Sequence, residues 1–448
     1  MKTEQRVCIV GAGPAGLALA RACVRHGVAF DVYERHSDVG GIWDQSNPGS
    51  PIYDSAHFIS SKTQSHYIDF PMPEDYPDYP SNKQILNYIR SFAVAYGLYQ
   101  HITFNMEVTR AELVGRTWKV TLSSGETKNY CALVCATGTN WLPSMPDYPG
   151  TFAGEMRHAV TYKKRGEFLG KRVLIIGGGN SACDIASDAA SIADHAAISL
   201  RRGYHFVPKH LFGVPADVFA ASGPRLPMWM QQKVFAVMLK ALTGDLTRFG
   251  LKKPDHRLFE SHPILNTQIL HHLAHGRIRA KTDVARFDGK TVHFNDGSSE
   301  DFDLVLCATG YRWEIPFVEP ALFRWKSNKP DLYMNLFARD HRELYGMGYM
   351  ETNGGAYKLF DEMADFTVRA IDARNENGLT AQKLDRLVAN DAPDLSGGIR
   401  FVASDRHATY VEIDAYRKYM KRLRKKLGWP QLEPGAFAAQ RVDLNDSA

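Results

Sequence analysis

Arg6-Val-Cys-Ile-Val-Gly-Ala-Gly-Pro-Ala-Gly16, continued by Leu17-Ala-Leu-Ala-Arg-Ala-Cys-Val24, decides how this chain is read. A short apolar run stops at a glycine-rich turn, and an alanine-rich, helix-favouring stretch starts behind it. That order is strand, turn, helix: the opening of a βαβ unit. Gly11, Gly13 and Gly16 make Gly-x-Gly-x-x-Gly. The first glycine permits the tight turn, the second lets a pyrophosphate approach the backbone, and the third lets helix and strand pack closely. The helix opens at Pro14 and Ala15, where free N–H groups and the positive dipole end meet phosphates. Phe30-Asp-Val-Tyr-Glu34 then supplies an acid at the end of a second strand. Glu34 is expected to bond the adenosine ribose hydroxyls, with Arg35 beside it.

The plan recurs in Lys171-Arg-Val-Leu-Ile-Ile-Gly-Gly-Gly-Asn-Ser-Ala182 and the stretch Cys183-Asp-Ile-Ala-Ser-Asp-Ala-Ala190. Gly177, Gly179 and Ala182 make Gly-x-Gly-x-x-Ala, with Asn180 and Ser181 between. No acid closes the next strand; Ser199-Leu-Arg201-Arg202 stands there instead. A carboxylate repels a 2′-phosphate, whereas a guanidinium forks onto it, so the second unit reads as an NADPH site rather than an NADH site. Both units close alike, on Leu133-Val-Cys-Ala-Thr-Gly138 and on Leu304-Val-Leu-Cys-Ala-Thr-Gly310. Gly138, Thr309 and Gly310 are therefore candidate cofactor contacts. Two like openings and two like endings predict an α/β fold of two Rossmann-like dinucleotide-binding domains, the second inserted in the first. The crossings are expected near residue 165 and near residue 311, with Leu332-Tyr-Met and Leu344-Tyr-Gly-Met-Gly returning to the first domain.

The rest of the chain bounds the function. Its 448 residues suit two or three domains, and 44% hydrophobic with 23% charged residues is a globular composition. A net charge of +5 does not argue for nucleic acid, though a mildly basic surface suits anionic dinucleotides. Cys8, Cys23, Cys131, Cys135, Cys183 and Cys307 form no Cys-x-x-Cys and read as reduced, buried thiols. The first strand follows the N-terminus at once and no run of about 18 apolar residues occurs, so the expectation is a cytoplasmic protein with no signal peptide and no transmembrane segment. No zinc-like spacing and no Ser-His-Asp or Cys-His motif is present. Pro71 to Pro80 reads as an irregular loop, Asp296-Gly297 as a hairpin turn. Met228-Trp-Met-Gln-Gln-Lys-Val-Phe-Ala-Val-Met-Leu239 belongs to an apolar insertion: core, substrate entrance or subunit contact, which leaves a homodimer open. In the basic stretch 416–427, Tyr416, Met420, Leu423 and Leu427 share one helix face; it reads as a surface helix on the core, or else as a membrane-surface or partner helix.

Several motifs fall in order along the chain: Gly40-Gly41-Ile-Trp43, Phe152-Ala-Gly154-Glu-Met-Arg-His158-Ala-Val-Thr-Tyr162, Gly179-Asn180-Ser181, Asp184-Ile-Ala186, Ser199-Leu-Arg201-Arg202-Gly203, Phe249-Gly-Leu251 and Ala308-Thr-Gly-Tyr311. With them the chain resembles the flavin-containing monooxygenases, class B flavoprotein enzymes, from about residue 6 to about residue 311. The resemblance implies an FAD domain over 1–164 and 312–448 and an NADPH domain over 165–311. Gly41, Trp43 and Lys62 are implied near the flavin, His158 and Tyr162 at the functional linker. The implied reaction passes one oxygen atom from O2, through a C4a-(hydro)peroxyflavin, to a small-molecule soft nucleophile, an amine nitrogen or a sulfide sulfur. Tyrosine at Tyr162, where Baeyer–Villiger relatives carry tryptophan, favours heteroatom oxygenation. One departure stands out. The family's Tyr-x-Ser-Leu-x-x-Asn-x-x-Lys is here Tyr53-Asp-Ser55-Ala-His-Phe-Ile59-Ser-Ser-Lys62, so Ile59 replaces an asparagine that bonds near the reactive flavin face. Isoleucine has no donor; Ser60 and Ser61 are the candidate substitutes. Ile59 keeps a Baeyer–Villiger-type monooxygenase or an uncoupled NADPH oxidase as the alternative.

Overall fold

The structure, a computed structural model, describes residues 5–223, 226–326, 328–403, 409–438 and 441. Val7–Val10 is buried at every position, as an all-apolar strand covered on both faces must be. It lies parallel to Phe30–Tyr33 on one side and to Ala132–Cys135 on the other. The full sheet runs Leu332–Tyr333, Phe337–Ala338, Leu344–Gly346, Ala132–Cys135, Val7–Val10, Phe30–Tyr33, Ile102–Thr103. The late segment thus returns to the first sheet, with Leu344–Gly346 parallel to Ala132–Cys135. A second sheet is parallel throughout: Glu155–His158, Leu304–Cys307, Arg172–Ile176, His195–Ser199, Arg279–Lys281. Each sheet has a helix opening directly behind its glycine-rich strand, the Rossmann arrangement.

In chain order the helices are α1 (Pro14–His26), α2 (Asn82–Ala95), α3 (Asn180–Ile192), α4 (Ala216–Ser222), α5 (Met228–Thr243), α6 (Gln268–Ala274), α7 (Ala356–Glu376), α8 (Leu379–Asn390) and α9 (Ile413–Leu427). α2 starts where Ser81 and Gln84 cap each other reciprocally. α7 lies along α1. Between them the fully buried Arg21 guanidinium pairs with Asp361 at 2.5 Å and stacks 3.7 Å from the Phe437 ring centre. α9 buries Tyr416, Met420, Leu423 and Leu427, the face its spacing requires. Gly297 turns a hairpin between Thr291–Phe294 and Ser299–Asp301. In the apolar insertion, α5 packs Leu239, with Phe235 and Met238 beside it, into a small core with Leu211 and Leu258, and leaves Trp229 and Val237 on its other face exposed.

The connections between the sheets start earlier than residue 165. Glu155–His158 is already an edge strand of the second sheet, and Gly150–Phe152 pairs with Phe287–Gly289. Leu142–Pro143, on the outgoing connection, pairs antiparallel with Tyr311–Arg312, on the returning one. The two crossings therefore run side by side as a short ribbon. No described helix is long and apolar enough to cross a membrane.

Candidate dinucleotide sites and the seam between them

At the first turn, Gly11 holds φ +108°, and a Cβ there would stand 2.7 Å from the Ala136 carbonyl oxygen, so only glycine fits. α1 begins at Pro14 with no side-chain cap, which leaves its first-turn amides available. The second glycine pair folds onto this turn. Gly40 donates its N–H to the Ala12 carbonyl at 3.2 Å, and a Cβ on Gly41 would lie 3.1 Å from the Gly13 Cα. Two bare stretches of backbone thus stand side by side at an uncapped helix start, a cradle fit for a diphosphate. The Glu34 carboxylate is fixed at its edge, accepting the Ala12 N–H at 2.7 Å and the His36 N–H at 2.9 Å. Its remaining lone pairs suit a ribose diol. Arg35 lies 4.4 Å over the Trp141 ring, and the Trp141 indole N–H donates to the Thr137 carbonyl at 2.6 Å, next to Gly138. Trp43 sits edge-on to Phe58 at 5.3 Å.

The second turn repeats the geometry. Gly177 has φ +135°, with the Ala308 carbonyl oxygen 2.3 Å from where a Cβ would be. α3 starts at Asn180 behind Gly179, again without a side-chain cap. The Asn180 amide oxygen turns away to accept the Leu265 N–H at 2.9 Å, so it does not fill the turn. Ser181 is exposed at the helix start. The Tyr204 ring lies against Gly178, within 2.2 Å of a Cβ placed there, and walls the turn. Ser199 is buried and spends its hydroxyl on the Thr282 carbonyl at 2.7 Å. It positions the strand end rather than presenting a donor. Arg201 is exposed and Arg202 half-buried just beyond it. Among the described residues no carboxylate pairs with either guanidinium, which suits a dianionic 2′-phosphate. Thr309 donates to the Ser144 carbonyl at 2.5 Å, and Gly310 borders open space.

Between the turns, the loop after Trp43 crosses to the second sheet. Ile52, Tyr53 and Ala56 join the core formed by Tyr162, Val173, Ile175 and Ile185. The Tyr53 hydroxyl donates to Asp184 on α3 at 3.0 Å; Asn266 donates to its other oxygen at 2.6 Å. Burial raises the Asp184 pKa, against the opposing charges of His57 and Lys209. Ser55 and Tyr162 both donate to Asp188, the latter at 2.8 Å. Lys209 meets the His57 ring, and its carbonyl accepts the Tyr79 hydroxyl.

The expected catalytic residues are held within the same network. His158 is buried, its Nε2 against the Gly310 carbonyl at 3.0 Å and its Nδ1 accepting the Val160 N–H at 3.1 Å. Burial lowers its pKa, the Gly310 bond opposing. The ring, with both nitrogens engaged, pins the linker to the second Thr-Gly turn. Tyr162 is fully buried, stacked on Phe168 at 4.8 Å. Ser60 accepts the Ser65 hydroxyl at 2.6 Å. Ser61 gives both its N–H, at 2.7 Å, and its hydroxyl, at 2.9 Å, to Asp217 on α4. Lys62 donates to the Glu74 carbonyl at 2.7 Å and to that of Tyr76, so it ties down the proline-rich loop. Sequence reading passed over Trp141, Tyr204, Asn266, Lys209 and His57. Only their type, aromatic, amide or titratable, could have marked them.

A model of the family described as flavin-binding monooxygenase-like matches residues 4–428. This chain belongs to that family. Among curated relatives, "Flavin-containing monooxygenase 5" of Cavia porcellus is 33% identical over 362 residues, covering 75% of this chain and 67% of that protein. "Indole-3-pyruvate monooxygenase YUCCA1" of Oryza sativa subsp. japonica is 31% identical over 72% of this chain and 79% of its own. The chain thus spans about two thirds of the length of the guinea-pig relative. Among solved structures, an oxidized steroid monooxygenase bound to NADP superposes with a TM-score of 0.72 at 16% identity, covering 95% of this chain and 98% of that one. The flavin-binding monooxygenase-like chain is an oxygenating flavoenzyme of two Rossmann-like domains.

Proposed function

We propose that this flavin-binding monooxygenase-like protein uses FAD and NADPH to insert one atom of O2 into a soft nucleophile, an amine nitrogen or a sulfide sulfur. The observation that carries this is the pair of uncapped helix starts, α1 and α3, each behind a glycine turn, with acid at the first and unpaired arginines at the second. The first-turn amides of α1 hold the FAD diphosphate and Glu34 orients its ribose; the first-turn amides of α3 hold that of NADPH and Arg201 with Arg202 takes the 2′-phosphate. When bound, the flavin supplies hydride acceptance and oxygen activation. The chain's own part is to bind, orient and exclude water. His158 fixes the linker, and the Tyr53–Asp184 and Ser61–Asp217 links clamp the intervening loop over the junction. We place the FAD unit on the first sheet and the inserted NADPH unit on the second, with the outgoing crossing near residue 142, at the ribbon with Tyr311–Arg312. Six free thiols, five of them buried, support a reducing, cytoplasmic setting.

The test is the stoichiometry of the FAD-loaded protein with a tertiary amine and with a thioether. One NADPH and one O2 consumed for each N-oxide or sulfoxide, with water as the other product, is the expected result. Hydrogen peroxide matching NADPH with no oxygenated product supports the oxidase reading, and a lactone or ester from a ketone the Baeyer–Villiger one, the two alternatives that Ile59 keeps open. Protein that takes up no flavin would sink all three.

A further inference from the structure

α9 carries seven cations and one acid, Asp414, a net +6 against +5 for the whole chain. The remaining residues together are therefore slightly acidic. Two of the seven cations are engaged: Arg424 with Asp365 at 2.7 Å and Arg417 with Glu362 at 2.9 Å. The other five, Lys418, Lys421, Arg422, Lys425 and Lys426, are all exposed. Among the described residues none of the five has a carboxylate within ion-pairing distance. Their spacing is i, i+3, i+4, i+7, i+8, which sets them along one face. Like charges at that spacing repel and cost the helix stability. Solubility alone does not call for this, because alternating signs would serve as well.

The opposite face is already used: Tyr416, Met420, Leu423 and Leu427 are buried in the core. The helix therefore has nothing apolar left with which to roll into a bilayer. Beside the stripe, Lys418, Lys421, Arg422 and Lys425 line a surface groove closed by Trp429, Pro430 and Gln431. The Trp429 ring is held edge-on to Phe366 at 4.9 Å. A fixed indole at the end of a cationic stripe is the pairing found at membrane interfaces, where tryptophan sits at headgroup level and lysines and arginines meet phosphate.

We propose that this face docks on an anionic phospholipid surface, peripherally and reversibly. A nucleic-acid partner fits less well. The net positive excess lies on this one helix, and no recognition motif accompanies it. An acidic protein segment fits less well too, since peptide grooves add apolar anchor pockets to their charges, and here Trp429 stands alone. A fluid, multivalent surface asks only for the stripe.

The experiment is cosedimentation of the FAD-loaded protein with vesicles of phosphatidylcholine alone and with vesicles containing phosphatidylserine, at low and high salt. The wild type is expected to pellet with the phosphatidylserine vesicles, to remain in solution with phosphatidylcholine, and to be released by salt as the Debye length shrinks from about 10 Å at 0.1 M. Each cation lost weakens partition roughly fivefold, so K421Q/R422Q/K425Q should weaken it on the order of a hundredfold, and K421E/R422E/K425E should abolish it. Both variants alter exposed side chains away from either glycine turn, so flavin content and melting temperature should match the wild type. Equal pelleting of wild type and charge-reversed protein overturns the proposal. So does no pelleting with phosphatidylserine, or tighter binding to polyglutamate or to an RNA oligonucleotide in competition with the vesicles.

Discussion

Arg201 stands at the end of the strand that follows the second glycine turn, where dinucleotide-binding folds choose between a free ribose hydroxyl and a phosphate. Its guanidinium is exposed. A hydrogen bond to a charged group contributes about 1.5–3 kcal/mol, so Arg201→Ala should raise the Kd for NADPH on the order of ten- to a hundredfold. The Kd for NADH should change little, because that ligand has no phosphate there. Titration of the FAD-loaded protein with both nucleotides measures the ratio, and equal weakening of both would remove the arginine from the phosphate site. The position of this residue, like those of Gly11, Glu34 and Gly177, was legible because spacing within one βαβ unit sets it. His158 was not. Its place in a family signature pointed to chemistry, yet its partners are the Gly310 carbonyl and the Val160 N–H, and the first of these lies 152 residues away in the chain.

At the level of elements, the strand–turn–helix units were readable because hydrophobic runs, glycines and alanine-rich stretches are local signals. What sequence could not show is how the loop 53–79 attaches to α3 and α4. That attachment is made by single polar side chains far apart in the chain: Tyr53 and Asp184 are 131 positions apart, Ser61 and Asp217 156. No periodicity encodes such pairs. The same blindness moved the outgoing crossing: Glu155–His158 is too short and too polar to announce itself as a strand, and only its pairing with Leu304–Cys307 makes it one. The loop attachment has an energetic consequence. Tyr53→Phe keeps the ring in its core and removes one donor from the buried Asp184 carboxylate. Leaving a buried acceptor short of a partner costs about 1–3 kcal/mol. Urea unfolding should show that loss, and Tyr53→Phe should also raise peroxide release per NADPH if the clamp excludes water at the junction. A variant within 0.5 kcal/mol of wild type, about the spread of neutral surface changes, and with unchanged coupling would show that the link is incidental.

Across the whole molecule, the side of the first sheet is closed by a charge node that ties the first helix to the last. Asp365 on α7 is fully buried, and three arginines and a histidine converge on it: Arg25 at 2.5 Å and His26 at 2.8 Å from α1, Arg369 at 3.0 Å from α7 itself, and Arg424 at 2.7 Å from α9. Burial pushes the carboxyl pKa up, but the His26 hydrogen bond and the Arg424 charge outweigh it and hold it well below the usual range. The sign of the linkage follows. An unfolded chain protonates this aspartate near its ordinary pKa of about 3.9, while the folded protein keeps it ionised to lower pH. Between those values the unfolded state binds more protons, so stability falls as pH falls, and the contribution is fully present above about pH 5. Asp365→Asn should flatten that acid limb. It should also cost about 3–5 kcal/mol at neutral pH, because the buried Arg424 loses its counter-charge. Denaturant unfolding of wild type and variant from neutral pH downward tests both effects at once. Parallel pH curves would mean that the node carries no linkage, and a neutral-pH loss below about 1 kcal/mol would mean that Glu362 and nearby carbonyls, which already receive Arg417 and Arg424, suffice to hold the last helix in place.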